Sequence, residues 1–323
     1  MLDMEVRFWG TRGSIATPGP ETVHFGGNTS CVEMVTKAGR RFIIDCGTGV
    51  RLLGLHLMSK GQSRIRATIL LSHTHWDHIQ GFPFFKPVFQ PGNEILICAP
   101  LGVTGSLSQV LSGQMETAYF PVELSELPAK IAYRHLAEGA FDFHGVGVST
   151  HALHHPAATL GYRIESDGVT VAYLADHEPF SDVLWRPGAE PGKVESILHE
   201  GDRRHAEFMH NADLVIHDAQ YTPEEMPEKK HWGHSSYEYA VELAGAAGVR
   251  QLALTHHEPT HTDDKLVEIE KRARALAASR NYDLDVFCAY EGCEVAVKPK
   301  SSAPGRQASG ELSAHVARDR HRR

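Results

Sequence analysis

Ala67-Thr68-Ile69-Leu70-Leu71-Ser72, followed at once by His73-Thr74-His75-Trp76-Asp77-His78, is the stretch whose reading decides the fold. The first six residues are mostly apolar or β-branched and read as a buried strand. The next six carry four metal-binding side chains. Side chains alternate along extended backbone, so His73 and His75 leave the strand end on the same side. A helix beginning immediately afterwards would swing Asp77 and His78 round on its first turn. Two imidazoles then grip one ion while a carboxylate and a third imidazole face a second. A hydrogen-bonded surface loop is the competing reading, and the density of ligand-type residues argues against it.

Composition sets the bounds. A chain of 323 residues, 41% of them hydrophobic, can bury a substantial core as one large domain or two small ones. A formal charge of -8 argues against general affinity for polyanions. Cys31, Cys46, Cys98, Cys288 and Cys293 are scattered and lack a paired zinc-ribbon spacing, so they read as small buried hydrophobes in a reducing compartment. Cys46 is the partial exception, because its Asp45-Cys46-Gly47-Thr48-Gly49 turn could approach a metal site. No apolar run reaches the length of a membrane span, and the beginning of the chain lacks a basic-then-apolar signal pattern; a cytoplasmic protein is expected. There are 22 histidines against 32 Lys plus Arg, and many must be bystanders, since two ions need only about five or six.

Strands are predicted at 4–9, 31–36, 41–45, 67–72, 94–99, 146–153, 160–165, 169–174, 214–217, 251–255, 284–289 and 294–297. Helices are predicted at 50–59, 104–114, 235–247 and 263–279, with Ser235 and Asp263 as N-caps of the last two. The strands come in two blocks with helices after each, an order that suits a four-layer αββα sandwich. Residues 185–201, rich in Pro, Gly and charge, read as an exposed excursion. Residues 299–323 lose apolar periodicity and read as a flexible basic tail beyond a domain of 1–298.

Further candidate ligands lie downstream. His154-His155-Pro156, Asp176 and His256 each follow a separate apolar strand, as the first motif does. Convergence at one edge of a sandwich explains that repetition.

These residues and their order resemble the metallo-β-lactamase superfamily over nearly the whole chain, from the first strand to about Lys298. The resemblance is to the branch holding tRNase Z-like nucleases and phosphoribosyl cyclic phosphodiesterases. The motifs that carry it include Phe8-Trp9-Gly10-Thr11-Arg12-Gly13-Ser14, Gly26-Gly27-Asn28-Thr29-Ser30, the Asp45 turn and the His73 motif. His155-Pro156, Leu160-Gly161-Tyr162-Arg163, Tyr173-Leu174-Ala175-Asp176, His217-Asp218-Ala219-Gln220-Tyr221, Gly233-His234-Ser235 and Leu254-Thr255-His256 complete it. The resemblance implies that His73, His75 and His155 hold one divalent ion, that Asp77, His78 and His256 hold another, and that Asp176 bridges both. His154 and His257 compete with their neighbours for these places.

The chemistry so implied is hydrolysis by a metal-bridging hydroxide, with the two ions neutralising charge on the ester oxygens. Asp77 would help to orient that hydroxide, and His234 of the Gly-His-Ser motif would protonate the leaving group. Asp45 and Asp218 read either as carboxylates supporting metal-bound imidazoles or as turn caps. His151, His177, His217 and His231 read as bystanders. Imidazole-rich sites with a shared carboxylate suit zinc first, with manganese or iron under other supply. Flavodiiron relatives have glutamate where this chain has His75, which favours hydrolysis over redox chemistry. Phe82-Pro83-Phe84-Phe85, with Tyr119 and Phe120, could line a pocket that stacks a base, although core packing claims at least half of them.

The expected substrate is a small cyclic or nucleotide-like phosphodiester. A tRNase Z-like RNA endonuclease is the alternative: Glu258-Pro259 replaces the continuation expected there, and no basic tRNA-grasping arm stands out. Lactone or thioester hydrolysis would use the same nucleophile, and a metal-binding sensor domain is the reading without turnover. Oligomeric state is open, a homodimer included.

Overall fold

The computed structural model describes residues 4–61, 64–101 and 106–299. The tail expected over 299–323 lies outside the described residues from position 300 onward. In chain order the strands of the first half are β1 (Met4–Gly10), β2 (Cys31–Thr36), β3 (Arg41–Ile44), β4 (Arg66–Leu70), β5 (Glu94–Pro100) and β6 (Lys130–Leu136). There follow β7 (Gly139–Asp142), β8 (Gly147–Ala152), β9 (Leu160–Ser166), β10 (Val169–Leu174), β11 (Leu214–Asp218), β12 (Gln251–Thr255), β13 (Asp285–Cys288) and β14 (Glu294–Val297). The helices are α1 (Val50–Ser59), α2 (Trp76–Ile79), α3 (Leu107–Gly113), α4 (Glu200–Phe208), α5 (Tyr237–Ala246) and α6 (Asp263–Ser279).

Two seven-stranded mixed sheets result, ordered β14-β1-β2-β3-β4-β5-β6 and β13-β12-β11-β10-β9-β8-β7. Strands β3 to β6 run parallel, as do β10 to β13. The largely apolar inner strands β4, β5, β11 and β12 suit cover on both faces, whereas the edge strand β6 alternates and is largely uncovered. Phe8, Val32, Phe42, Ile44 and Leu70 of one sheet meet Tyr162, Ile164, Val171, Tyr173 and Ile216 of the other in the central core. The outer face of the first sheet packs under α1 and α3, and that of the second under α4, α5 and α6. This is the expected four-layer αββα sandwich. Two buried phenols cross between the sheets at one end: Tyr162 donates to the Leu71 carbonyl at 2.6 Å and Tyr173 to Asp45 at 2.8 Å. No helix among the described residues is long and apolar enough to cross a membrane.

Some expectations need correction. Helix α5 is capped by Ser236, whose hydroxyl accepts from Tyr239 N–H, because Ser235 is used elsewhere, its N–H donating to Asp218. Helix α6 is capped by Thr262, while the Asp263 carboxylate takes the N–H groups of His24 and Phe25. The excursion at 185–201 folds back through a Trp185–Ile197 bridge with Ile197 buried, and its end starts α4.

Helix α4, missed in the sequence, buries Asp202, His205 and Ala206, so polar residues occupy the face where apolar periodicity was sought. His205 stacks on His177, ring centroids 3.8 Å apart. His217 Nδ1–H donates to the Asp218 carbonyl at 2.7 Å, so its Nε2 accepts from His205 Nε2–H at 2.9 Å. His177 Nδ1 accepts from His154 N–H, leaving its Nε2–H for the Tyr239 hydroxyl, which donates to Asp202. Every ring is neutral in this pattern, which leaves His205 Nδ1 buried without a hydrogen-bond partner. Burial, and then the neighbouring imidazoles, push His205 and His177 well below the ordinary histidine range. The unfolded chain therefore takes up protons first: stability is full above the unfolded value near about 6.5 and falls as pH drops below it, by at most about 1.4 kcal/mol per pH unit for each ring. Replacing His205 by Gln is expected to make the loss of melting temperature between about pH 7 and about pH 5 shallower, as measured by circular dichroism.

Candidate metal centre

Asp45 follows β3, the His73–His78 motif follows β4, His155 follows β8, Asp176 follows β10, Asp218 closes β11 and His256 follows β12. These are all carboxyl ends of strands at one edge of the sandwich, where open α/β sheets place their crevices. Asp45, Asp176 and His256 have φ of 61°, 63° and 60°, left-handed values rare for residues with a side chain. Each departs sharply from its strand there, so strain concentrates where side chains must be aimed.

All seven candidate ligands named from the sequence meet. His73, His75, His155 and Asp176 form one group, and Asp77, His78 and His256 another. Asp176 stands between them. Its Oδ2 lies 3.6 Å from His73 Nε2 and 3.8 Å from His155 Nε2, and its Oδ1 lies 3.3 Å from His78 Nε2 and 3.4 Å from His256 Nε2. His155 Nε2 is 3.2 Å from His75 Nδ1, and His256 Nε2 is 3.1 Å from Asp77 Oδ2. Two donors each about 2.1 Å from one ion stand roughly 3.4 Å apart in tetrahedral geometry, which these separations match. His73 Nε2 and Asp176 Oδ1 are buried with no hydrogen-bond partner. Buried polar atoms rarely stay unpaired, so the donor set fits divalent cations and leaves places for them.

The far side is held in four of the five rings, His75 being the exposed exception. His78 Nδ1 meets Asp45 at 2.8 Å, His73 Nδ1 meets the Ser72 hydroxyl at 3.1 Å, His155 Nδ1 donates to the Gly233 carbonyl at 2.9 Å, and His256 Nδ1 meets Gln220 Oε1 at 3.0 Å. Asp45 also accepts from Ser72 and Tyr173. Asp218 accepts from His234 Nδ1–H at 2.7 Å and from the N–H groups of Asp176, His177, Gln220 and Ser235. With its oxygens so engaged, Asp218 supports the site, although it lies close enough to group with Asp176, His234 and His256. Gly233, with φ 89°, leaves room for His155: a Cβ there would sit 2.2 Å from its Nδ1.

The turn motifs also act here. Arg12, fully buried, donates to the carbonyls of Gly26, Glu258 and His261. It thereby lays Gly13 against His256, where a Cβ would meet the ring at 2.4 Å, and lets Ser14 N–H donate to Asp77 Oδ2 at 2.8 Å. Cys46 joins the outer core by its side chain, while its N–H binds the His78 carbonyl at 2.7 Å.

Electrostatics follow from the packing. Burial, and then His78, hold His73 well below its usual range. Burial opposes charge on His78 and His256 too, but the carboxylates, Asp176 foremost, overcome it and raise both, His256 to about 9. Those imidazolium ions hold Asp77 and Asp176 far below the ordinary carboxylate range despite burial. A cation entering this ring replaces protons already attracted to it.

The ambiguities resolve by geometry. His154 is exposed, binds the Glu178 carbonyl and stacks on Phe180, and His257 donates to the Ala289 carbonyl; neither faces the cluster. His151, His177 and His217 stand apart with His205, and His231 is exposed. His234 lies beside the cluster, its ring 4.8 Å from that of His256 and stacked on it. Phe82 and Phe85 are core residues, whereas Phe84, packed on Phe120, is exposed, as is Tyr119. Gln220 and Ser72 went unnoticed in the sequence, since each acts only through a neighbour brought in by the fold.

The sequence profile of the beta-lactamase superfamily domain matches residues 40–257. The chain belongs to this family. It is 26% identical over 343 residues to Ribonuclease Z of Haloferax volcanii, covering 96% of this chain and 100% of that protein. A metallo-beta-lactamase fold protein of Bacillus subtilis, YhfI, superposes with a TM-score of 0.62 at 17% identity, covering 90% of this chain and 99% of that one. A diphosphatase from the PhnP family does so with a TM-score of 0.61 at 18% identity, covering 92% and 98%. At such identities the structural likeness shows the shared fold. As a member of the beta-lactamase superfamily, related over nearly its whole length to a ribonuclease Z, the protein is a metal-dependent hydrolase.

His155→Ala is expected to lose about one ion per chain in elemental analysis of zinc-loaded protein, while His154→Ala keeps the parent content; the reverse pattern would refute the choice of His155.

Proposed function

We propose that the protein is a dinuclear metal-dependent phosphodiesterase acting on a small cyclic or nucleotide-like phosphodiester. The observation that carries this reading is the buried Asp176 carboxylate, which turns one oxygen toward His73 and His155 and the other toward His78 and His256. His73, His75 and His155 would hold one ion and Asp77, His78 and His256 the other, with Asp176 shared between them. Two such ions supply positive charge against the nonbridging phosphoryl oxygens and lower the pKa of water, and zinc suits the donor set first.

The chain's own residues do the rest. Asp77 Oδ2, anchored by Ser14 N–H at 2.8 Å, is placed to orient the attacking water. His234 gives Nδ1 to Asp218, so Nε2 is the nitrogen left to face the substrate. A proton at Nε2 passes to the departing oxygen, sparing it from leaving as a free alkoxide. Asp218, accepting from Nδ1–H before and after the transfer, keeps Nε2 turned toward that oxygen. Trp76, flanked by His75 and Asp77, is 78% exposed while the other three residues of α2 are buried. An aromatic face of that size beside the reacting group suits stacking of a base. RNA is the second reading, favoured by the 26% identity to a ribonuclease Z across nearly the whole chain.

Zinc- or manganese-loaded protein, assayed on bis(p-nitrophenyl) phosphate, cyclic nucleotides, phosphoribosyl cyclic phosphate and short RNAs, is expected to prefer one of the small diesters. Preference for RNA selects the second reading, and activity on lactones with none on phosphodiesters refutes both. His234→Ala is expected to slow alkoxide leaving groups roughly a hundredfold or more while sparing nitrophenolate. Equal slowing of both rejects the proton-donor role. Trp76→Ala is expected to raise KM for base-bearing substrates, reflecting about 1–3 kcal/mol of lost stacking, and to leave KM for bis(p-nitrophenyl) phosphate much less changed.

A further inference from the structure

Each imidazole facing Asp176 needs its far nitrogen fixed, because the tautomer decides whether the near nitrogen offers a lone pair or a proton. For His78 the carboxylate of Asp45 settles the matter, since it can only accept. His256 has no carboxylate behind it. Its Nδ1 meets the side-chain amide of Gln220, 2% exposed, at 3.0 Å. An amide can present either its oxygen or its NH2 to a ring nitrogen. With the oxygen inward, His256 Nδ1 carries the proton and Nε2 keeps a lone pair for an ion between it, Asp77 and Asp176. With the NH2 inward, the proton moves to Nε2 and that lone pair is lost.

The other end of the amide removes the ambiguity. Gln220 Nε2 donates to Glu258 Oε2 at 2.9 Å and to the Ser14 hydroxyl at 3.3 Å. Glu258 is itself held by its backbone: its carbonyl takes Arg12 NH1, and the preceding His257 is locked by N–H to the Thr11 carbonyl and Nε2–H to the Ala289 carbonyl. The Gln220 N–H donates to Asp218, the residue that holds His234. We propose that Glu258, acting through Gln220, is a positioning residue that fixes the tautomer of His256 and thereby the second metal site. This rests on the reading of two bound ions. It gives a use to the Glu258-Pro259 sequence that follows the Thr255-His256 motif.

The decisive comparison is between the parent, Glu258→Gln, and the exchanged pair Gln220→Glu with Glu258→Gln. In E258Q the residue at 258 can donate as well as accept, so Gln220 is free to turn over. Affinity for the second cobalt ion, measured by chelator competition and followed by the visible absorption of Co2+, is expected to fall about 10- to 100-fold, with the first ion unaffected. The exchanged pair restores an acceptor facing His256 and an amide donating to it from behind, so it should regain the parent's affinity and spectrum. A merely structural role would not be rescued this way, and melting temperatures report on folding separately. The proposal is overturned if E258Q binds the second ion as the parent does, or if the exchanged pair binds no tighter than E258Q. Should E258Q fail to fold, the exchanged pair decides alone: it must fold and bind both ions like the parent. A parent that binds fewer than two ions removes both this proposal and the dinuclear reading, whereas a parent with two ions and no phosphodiesterase activity removes only the functional one.

Discussion

One buried carboxylate organises the candidate centre. Asp176 is taken almost entirely out of water between four imidazoles from three chain segments, with a different oxygen toward each pair. A charge so desolvated is tolerable only when paired or bound to a cation. The surrounding architecture meets that condition: parallel strands of both sheets deliver their carboxyl ends to one edge, and a network of acceptors behind the rings fixes where each nitrogen points. Removal of any one supporting group leaves the charges in place with poorer geometry, which is why these outer contacts weigh heavily in such a site.

The histidines divide by what lies behind them. Rings at the centre are backed by Asp45, Ser72, the Gly233 carbonyl or Gln220, and they turn their other nitrogen toward Asp176. His205 and His217 instead bond each other, and His177 bonds Tyr239 while stacking on His205, with every ring neutral. The same residue type thus serves as candidate ligand and as polar core, according to whether a carboxylate faces it. Burial alone lowers the affinity for protons, whereas burial beside Asp77 and Asp176 raises it, as at His78 and His256.

Four of the nine left-handed non-glycine residues among the described residues lie in the same place. Ser14, Asp45, Asp176 and His256 all adopt left-handed conformations, and each bonds a distant stretch of chain, Ser14 to Asp77, Asp45 to Tyr173, Asp176 to Asp218 and His256 to Gln220. Such residues cost about 1–3 kcal/mol each and persist only where surrounding structure over-determines them. Arg12 is the central fastening, joining three loops through backbone carbonyls with one buried side chain.

Sequence alone fixed the strand-then-ligand pattern at His73–His78, His155, Asp176 and His256, and with it the sandwich, because apolar runs ending in metal-capable residues leave few ways to pack. It also marked the Gly-rich turns, since only small residues tolerate the close approaches seen at Gly13 and Gly233. It could not show α4, whose buried face is polar and is paid for by hydrogen bonds rather than apolar periodicity. The choice of His155 over His154, and of His256 over His257, rested there on the resemblance alone. Neighbours in sequence differ there only in which partner the opposite sheet or loop supplies. The tertiary structure alone decided that the acceptor behind His256 is Gln220, turned by Glu258, because hydrogen-bond direction depends on Gln220, from the loop after β11, meeting His256 and Glu258 of the loop after β12 within 3.0 Å.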